Sequence, residues 1–314
     1  ILKSSATENN ILGVAKTIFS YDNQDLIIFE LGTNQAGEIK SLARAVQPNV
    51  GVVTCIKPAH LAGLGTMEKI KKEKLSMFKG DRKIKAVLNS NDKMLSNLRL
   101  KNKTFWYGKN KKNDLYYRFG KRKDGKVYFK ILNKYDLVIP LQFENFIDNY
   151  LAAISAAHIL GIPLPKLIQR LNDFKDFPPM RMEKKVIGNY TILNDAYNAN
   201  PYSFKQSLSV VRRFKMPKVV IAADMLELGS KTGYYHRKLA SQIYKTGCQC
   251  CITYGNKSKA TNEQLKALGY QNAFHFSSQR KIALFLKQKL RNKKCLIFLK
   301  GSRKMQLEKI VKYL

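Results

Sequence analysis

Apolar and polar residues alternate in blocks along this chain, in the order expected of strands followed by amphipathic helices. Residues 26–31 form a continuous apolar run that predicts a strand. Residues 37–46 carry helical spacing, 50–56 predict a second strand, and 67–78 a second, lysine-rich helix. A third strand at 86–88 ends in Asn89-Ser90-Asn91-Asp92. This βαβ rhythm predicts a mostly parallel sheet. Between 104 and 140 the pattern becomes short aromatic segments broken at Gly108, Gly120 and Asp124-Gly125, which predict antiparallel strands and hairpins. Helical spacing returns at 149–160 and 164–174, and Pro178-Pro179 then breaks the chain. Beyond it, strands at 218–222, 249–254 and 296–300 alternate with helices at 231–245 and 259–268. The expectation is an α/β protein of two domains, 1–178 and 179–314, the first a mostly parallel sheet with an antiparallel extension.

The most informative stretch is Asn194-Asp195-Ala196-Tyr197-Asn198-Ala199-Asn200-Pro201. A short strand is predicted at 190–193, and 203–214 has Phe204, Leu208 and Val211 at helical spacing, so the octapeptide joins a strand to a helix. In an open α/β sheet that is the carboxyl edge, where ligands bind. An Asx-type turn with Pro201 at the first helical position accounts for the Asn-Pro pair, but not for Asp195 and Asn198.

Other predicted strand ends carry chemistry too. Glu30 closes the first strand, where a buried carboxylate must be paired or bind a metal. His60 sits on the equivalent loop of the next βα unit. The two suit either a Mg²⁺ site or a pair of hydrogen-bonded core residues. Lys74, among Lys69, Lys71 and Lys72, reads by composition as one more lysine on a solvated face. Asp224-Met225-Leu226-Glu227-Leu228-Gly229 follows another apolar strand. Lys300-Gly301-Ser302-Arg303 joins the last strand to the last helix, with Ser302 placed to cap it and a cation on each side, an arrangement suited to a carboxylate or phosphate. No G-x-x-x-x-G-K-[ST] loop occurs, and Gly229-Ser230-Lys231-Thr232 reads as a helix start.

Charge changes the picture less than its size suggests. With 57 Lys and Arg against 22 Asp and Glu the net charge is +35, enough to attract any polyanion. The lysines are spread along the whole chain and no nucleic-acid motif accompanies them, so nucleic acid is not the expected partner. Five cysteines without a C-x-x-C pair predict reduced, mostly buried thiols. No apolar run approaches the roughly 20 residues of a membrane span, and no signal peptide opens the chain, so a soluble, cytoplasmic protein is expected.

Taken in order, these motifs resemble the Mur ligase family of peptidoglycan synthesis. The resemblance rests on Thr7-Glu8-Asn9-Asn10-Ile11-Leu12-Gly13, the segment from Glu30 to Ile39, Ala59-His60-Leu61, Arg181-Met182-Glu183, the octapeptide, the segment from Asp224 to Gly229, and Lys300 to Arg303. The Tyr-Asn-Ala-Asn-Pro and Asp-Met-Leu-Glu-Leu-Gly segments favour the branch that adds D-alanyl-D-alanine to UDP-N-acetylmuramoyl-tripeptide over those adding L-Ala, D-Glu or a diamino acid. The resemblance implies an ATPase-like central domain followed by a Rossmann-like C-terminal domain, acting as a monomer. It also implies ATP-dependent activation of a substrate carboxylate as an acyl phosphate, which an incoming amine attacks.

By the same resemblance Glu30 and His60 hold Mg²⁺, together with Lys74 as a carbamylated lysine. Asp195 holds the ATP ribose, Asn198 and Asn200 orient the nucleotide loop, Arg181 faces the phosphates, and Asn149 is kept from the adenine-contacting segment. Asn10, Lys300, Ser302 and Arg303 contact substrate. Phe146 stands where that adenine-contacting segment has Asn, Gln35 where His is common, Ala62 where an acid is common, and Ala223 where a glycine precedes Asp224. These departures keep a second reading open, a non-catalytic homologue that acts by binding. Ile1 is not a start residue, and the family's phosphate loop and UDP-sugar domain would precede it, so residues 1–314 alone are expected to show little ligase activity.

Overall fold

The computed structural model describes every residue except 5–7, 59, 60, 81, 82 and 292, with the backbone alone described at 61 and 62. It is an α/β fold whose sheets are mostly parallel, and it divides into two compact units. The first comprises residues 1–121, 128–138 and 147–172; the second comprises 122–127, 139–146 and 173–314.

In chain order the first part contains β1 (Leu2–Lys3), α1 (Ile11–Phe19), β2 (Ile27–Ile28), α2 (Glu38–Val46), β3 (Val50–Val53), α3 (Leu61–Leu64), α4 (Met67–Lys74) and β4 (Lys85–Asn89). Then come β5 (Thr104–Gly108), β6 (Leu115–Lys123), β7 (Lys126–Ile131), β8 (Tyr135–Pro140), α5 (Ile147–Ile159) and α6 (Leu164–Asn172). Strands β3 to β8 form one six-stranded sheet in sequence order. Its β3–β4 and β4–β5 pairs are parallel, with Val52 opposite Val87 and Leu88 opposite Trp106. Thr104–Gly108 therefore extends the parallel sheet instead of starting the antiparallel extension expected from its aromatic pattern.

The apolar run at 26–31 behaves differently from its pattern. Only Ile27–Ile28 is strand, paired in parallel with Leu2–Lys3 in a separate two-stranded sheet. Ile28 is half exposed, so this run is not the core strand that its hydrophobicity predicts.

The second part continues with β9 (Glu183–Ile187), β10 (Tyr190–Asp195), α7 (Pro201–Val211), β11 (Lys218–Ala223), α8 (Thr232–Tyr244), β12 (Cys250–Tyr254) and α9 (Lys259–Ala267). It ends with β13 (Ala273–Phe276), α10 (Gln279–Lys289), β14 (Cys295–Lys300) and α11 (Glu308–Lys312). The strand order is β13-β12-β11-β14-β10-β9, parallel except for β9, which runs antiparallel against β10 at the edge. Every residue of β11 and β14 is buried, as central strands covered on both faces require. The last strand thus inserts between β10 and β11, and the carboxyl ends of β10, β14 and β11 lie side by side. Cys248, Cys250, Cys251 and Cys295 are free and buried, and burial pushes the Cys250 thiol up to about 12. They are packing groups, as expected.

Helix starts follow local chemistry. Asn10 caps α1 by accepting from the Gly13 amide, and Thr66 caps α4 by accepting from that of Lys69. The α2 N-cap is Gly37, which has no side chain to offer. The carboxylate of Glu73, on α4 and buried, takes over: it accepts from the Gly37 amide at 2.7 Å and the Ile39 amide at 2.8 Å. An acid against the positive end of a helix dipole satisfies orphan donors that would otherwise be stranded. Sequence reading passed over Glu73 because it lies inside a lysine-rich run. Glu73→Ala should lower the unfolding free energy by about 2 kcal/mol, since two hydrogen bonds to a buried charged acceptor are lost. A chemical melt followed through Trp106 in the same unit checks this; an unchanged midpoint would contradict it.

Candidate functional site

Where β10 gives way to α7, the octapeptide begins inside the strand. Asn194 and Asp195 still belong to the ladder, and the register sets Asp195 directly opposite Lys300 of β14. Paired positions on parallel neighbours point to the same face, so two charges meet in the interior. Lys300 Nζ lies 2.5 Å from Asp195 Oδ2 and also donates to the Asn198 carbonyl at 3.1 Å. The Ser207 hydroxyl on α7 donates to the same carboxylate oxygen at 2.6 Å, and Asp195 Oδ1 accepts from the Met182 amide at 3.2 Å. Burial pushes the Lys300 ammonium below its ordinary range, with Asp195 beside it opposing that shift. Lys300 is 2% exposed and Asp195 6%.

The remainder of the loop is ordered from its own ends. Asn200 caps α7 in a reciprocal capping box with Ser203, and Pro201 occupies the first helical position. Asn198 is exposed, and its Oδ1 accepts from the Ala199 amide. Arg181 is exposed with its guanidinium 4.2 Å from the centre of the Tyr197 ring. Stacking in this way orients the cation while leaving its N–H edges directed at solvent.

A second knot lies at the ends of β11 and β14. The Ser302 amide donates to the Asp224 carbonyl, and the Leu226 amide donates to Ser302 Oγ, both at 2.9 Å. The Asp224 carboxylate accepts from the Lys257 and Ser258 amides at the start of the α9 region. A Cβ at Gly301 would come within 2.6 Å of Ala223 Cβ, so this turn requires glycine. His236, fully buried, accepts from the Met225 amide at Nε2 (3.1 Å) and donates from Nδ1 to the Thr232 carbonyl (2.9 Å). Burial pushes its imidazole below the usual range.

The expected site residues sit in unlike surroundings. Asp195 faces inward with both oxygens engaged, one by Lys300 and Ser207 and the other by the Met182 amide. Lys300 and Ser302 are likewise buried and hydrogen-bonded within the unit; Ser302 Oγ accepts from the Leu226 amide and makes no capping bond to the helix that follows. Arg303 is exposed and pairs with Glu308 at 2.6 Å. In the first unit, Glu30 is exposed, not buried, because the run before it is not a core strand; Asn9 Nδ2 approaches it at 3.4 Å. Asn10 is spent on its helix cap, Asn149 is exposed on the first turn of α5, and Lys74 Nζ donates to the Cys55 carbonyl at 3.3 Å. His60 lies outside the described residues.

Among the described residues no three of His, Cys, Asp and Glu gather as metal ligands. The donor set described thus does not by itself make a Mg²⁺ cage. What it contains instead is a polar network that sequence reading did not assemble. Asp92, nearly inaccessible, pairs with Lys57 at 2.7 Å and accepts from the Ile56 amide. Asp148 accepts from Asn89 and Asn91 at the end of β4. The run from Asn89 to Asp92 was the signal for it.

Two family descriptions match the chain in order, "Mur ligase middle domain" over residues 1–157 and "Mur ligase, glutamate ligase domain" over residues 180–303. The chain belongs to the Mur ligase family. It is similar to the UDP-N-acetylmuramoyl-tripeptide--D-alanyl-D-alanine ligase of Bacillus subtilis, at 28% identity over 316 residues that take in 99% of this chain and 69% of the relative. The ligase of the same name from Rickettsia prowazekii is 29% identical over 330 residues, 100% of this chain and 72% of the relative. In fold it resembles MurF from Acinetobacter baumannii, with a TM-score of 0.87 at 22% identity, covering 99% of this chain and 70% of that one. The MurF ligase from Thermotoga maritima in complex with ADP gives a TM-score of 0.87 at 20% identity, covering 99% and 72%.

Removing one member of the buried pair strands the other. Lys300→Met should cost about 3–5 kcal/mol, and Lys300→Met with Asp195→Leu should recover part of that loss; an additive double variant in a denaturant melt would contradict the pairing. His236 makes a pH prediction. Its folded-state affinity for protons is lower than that of an unfolded histidine, so its contribution is complete above about pH 6.5 and is lost as pH falls below that value. Protection of the Met225 amide against exchange, relative to its intrinsic rate, should therefore fall between pH 6.5 and 5, and His236→Gln should flatten that fall.

Proposed function

We propose that this member of the Mur ligase family is an ATP-dependent ligase that joins D-alanyl-D-alanine to UDP-N-acetylmuramoyl-tripeptide in peptidoglycan synthesis. ATP and Mg²⁺ are its cofactors, and it acts as a monomer in the cytoplasm. The observation that carries the reading is the similarity at 28–29% identity, across essentially the whole chain, to ligases that bear this activity in their names. The ADP bound to the Thermotoga maritima relative supports the nucleotide assignment. No helix among the described residues is long and apolar enough to cross a membrane, in keeping with a soluble substrate.

Domains 1–178 and 179–314 divide the work. In the second, Arg181 faces the nucleotide phosphates: it is exposed, oriented by Tyr197, and has no ion-pair partner among the described residues. Asn198 presents its amide from the same loop, and Asn200 fixes the angle at which that loop enters α7. Asp195 and Lys300 act through position, by anchoring the loop from behind. ATP supplies the phosphoryl group that makes the carboxylate a good electrophile, and the protein's task is to align and neutralise. In the first domain Glu30 is open to act as one oxygen ligand of the ion, with His60 and a carbamylated Lys74 as the further ligands.

Protein expressed from the whole reading frame should release phosphate from ATP only when both the UDP-muramoyl tripeptide and D-alanyl-D-alanine are present. Equal turnover with L-Ala, D-Glu or a diamino acid in place of the dipeptide would sink the branch assignment. Arg181→Gln should lower kcat/KM for ATP at least about tenfold, the loss expected for a charge-assisted bond of about 1.5–3 kcal/mol.

A further inference from the structure

Away from the strand ends described above, the first unit contains a cleft of about 690 Å³ between the α4 segment and the chain leading into β5. Five of its eleven lining residues are cations, Lys71, Lys72, Lys79, Arg99 and Lys101. The whole chain carries 57 Lys and Arg among 314 residues, so the cleft is enriched well beyond the basic background. Glu68 is the one acid in the lining. Among the described residues none of the five cations takes part in an ion pair, whereas eight ion pairs form elsewhere. Leu75, Phe78 and Leu100 give the cleft an apolar floor, and Phe78 is 5% exposed, so the floor belongs to the core.

Its place in the fold separates it from the chemistry already assigned. Asn102 donates to the Ile84 carbonyl and the Lys103 carbonyl accepts from the Ala86 amide, which puts this rim at the amino ends of β4 and β5. Asn89, Asn91 and the Cys55 carbonyl that receives Lys74 lie at the carboxyl ends, a strand length away, roughly 15 Å at about 3.3 Å per residue. Five unpaired like charges around one concavity repel each other and focus a positive potential into it. An anion with several charges relieves that repulsion. A volume in the range of small-molecule sites, with an apolar floor, suits a compact ligand better than a long polymer.

We infer that this cleft is a second binding site, for a small soluble molecule carrying clustered phosphate groups, with the phosphates held by Arg99, Lys101, Lys71, Lys72 and Lys79 and any ring or chain laid on Leu75, Phe78 and Leu100. The site stands independently of the ligase assignment. Arginine supplies paired donors to phosphate oxygens and the lysines supply mobile point charges, so Arg99 sets the geometry and its neighbours the strength.

Tripolyphosphate titrated into the protein by calorimetry at 50 mM salt is the direct test. The parent should bind, and Arg99→Gln with Lys101→Gln should weaken binding at least tenfold. Lys287→Gln with Lys294→Gln, which removes two exposed charges from the other unit, should change it less than twofold. All of these positions are exposed, so the variants should melt with the parent. No binding by the parent, equal losses in both double variants, or a loss confined to Arg181→Gln would each overturn the assignment. So would capture by phosphatidylglycerol vesicles that depends on Arg99 and Lys101 in a protein that ignores free tripolyphosphate.

Discussion

A buried lysine opposite a buried aspartate, Lys300 on β14 and Asp195 on β10, is the constraint around which the C-terminal unit is arranged. Neither charge can be left alone at that depth, since desolvation costs several kcal/mol per ion. Their pairing locks the register of the two central strands at their carboxyl ends. It also reaches past the strands: Lys300 holds the Asn198 carbonyl, and Asp195 holds Ser207 on α7 and the Met182 amide before β9. One ion pair thereby connects β9, β10, β14, α7 and the loop between β10 and α7. The Gly301 turn that follows can approach Ala223 only because β14 is held in that slot, and the Ser302 bonds to the Asp224 loop depend on the same placement.

The acids of this very basic chain are used in a consistent way. Lysines are plentiful enough to sit anywhere, but the scarcer carboxylates are placed at joints. Glu73 and Asp224 accept backbone amides at helix starts. Asp92, Asp195 and Glu144 are buried carboxylates that each hold a cation, Glu144 by gripping both Arg122 and Arg213. Each buried carboxylate is met by a cation or by backbone amides, which offsets the desolvation of the acid and retains its orienting power. The net charge of +35 is therefore a property of the surface: among the described residues the buried charged groups are the carboxylates Glu73, Asp92, Glu144, Asp195 and Asp224 and the lysines Lys218 and Lys300.

Much of this was legible in the sequence and some of it was not, for reasons that differ by residue. Strands and helices of the C-terminal unit follow from apolar runs such as 218–222 and from the Asn200-Pro201 helix start, which are local signals. The polar strand ends were also visible, but not that Asp195, Lys300 and Ser302 are buried and hydrogen-bonded within the unit, because a polar residue at a carboxyl edge reads as facing a ligand until the neighbouring strand is known. Residue 195 lies 105 positions from residue 300, and nothing local says that β14 inserts beside β10. Glu30 failed for the opposite reason. Its apolar neighbours suggest a central strand, but only two residues pair, and an amphipathic pattern carries no information about how many neighbours a strand will find. Glu73 was hidden by its surroundings, one acid among lysines whose value comes from a glycine 36 residues away.

The inward turn of Asp195 and Lys300 bears on what the octapeptide can do. A loop that presents polar groups to a ligand gains little if those groups must first be ordered, because the entropy of ordering is subtracted from the interaction. Here the ordering is complete before any ligand arrives: the ion pair fixes the loop at its base, the capping box fixes its exit into α7, and the Tyr197 ring fixes Arg181. The residues left facing outward, Asn198 and Arg181, are the ones whose donors remain usable. Preorganisation of this kind is worth most when the bound group is charged and the aligning groups are few. The polarity of the segment thus resolves into two layers, a charged inner layer that holds the backbone and an outer layer of two exposed side chains, Asn198 and Arg181.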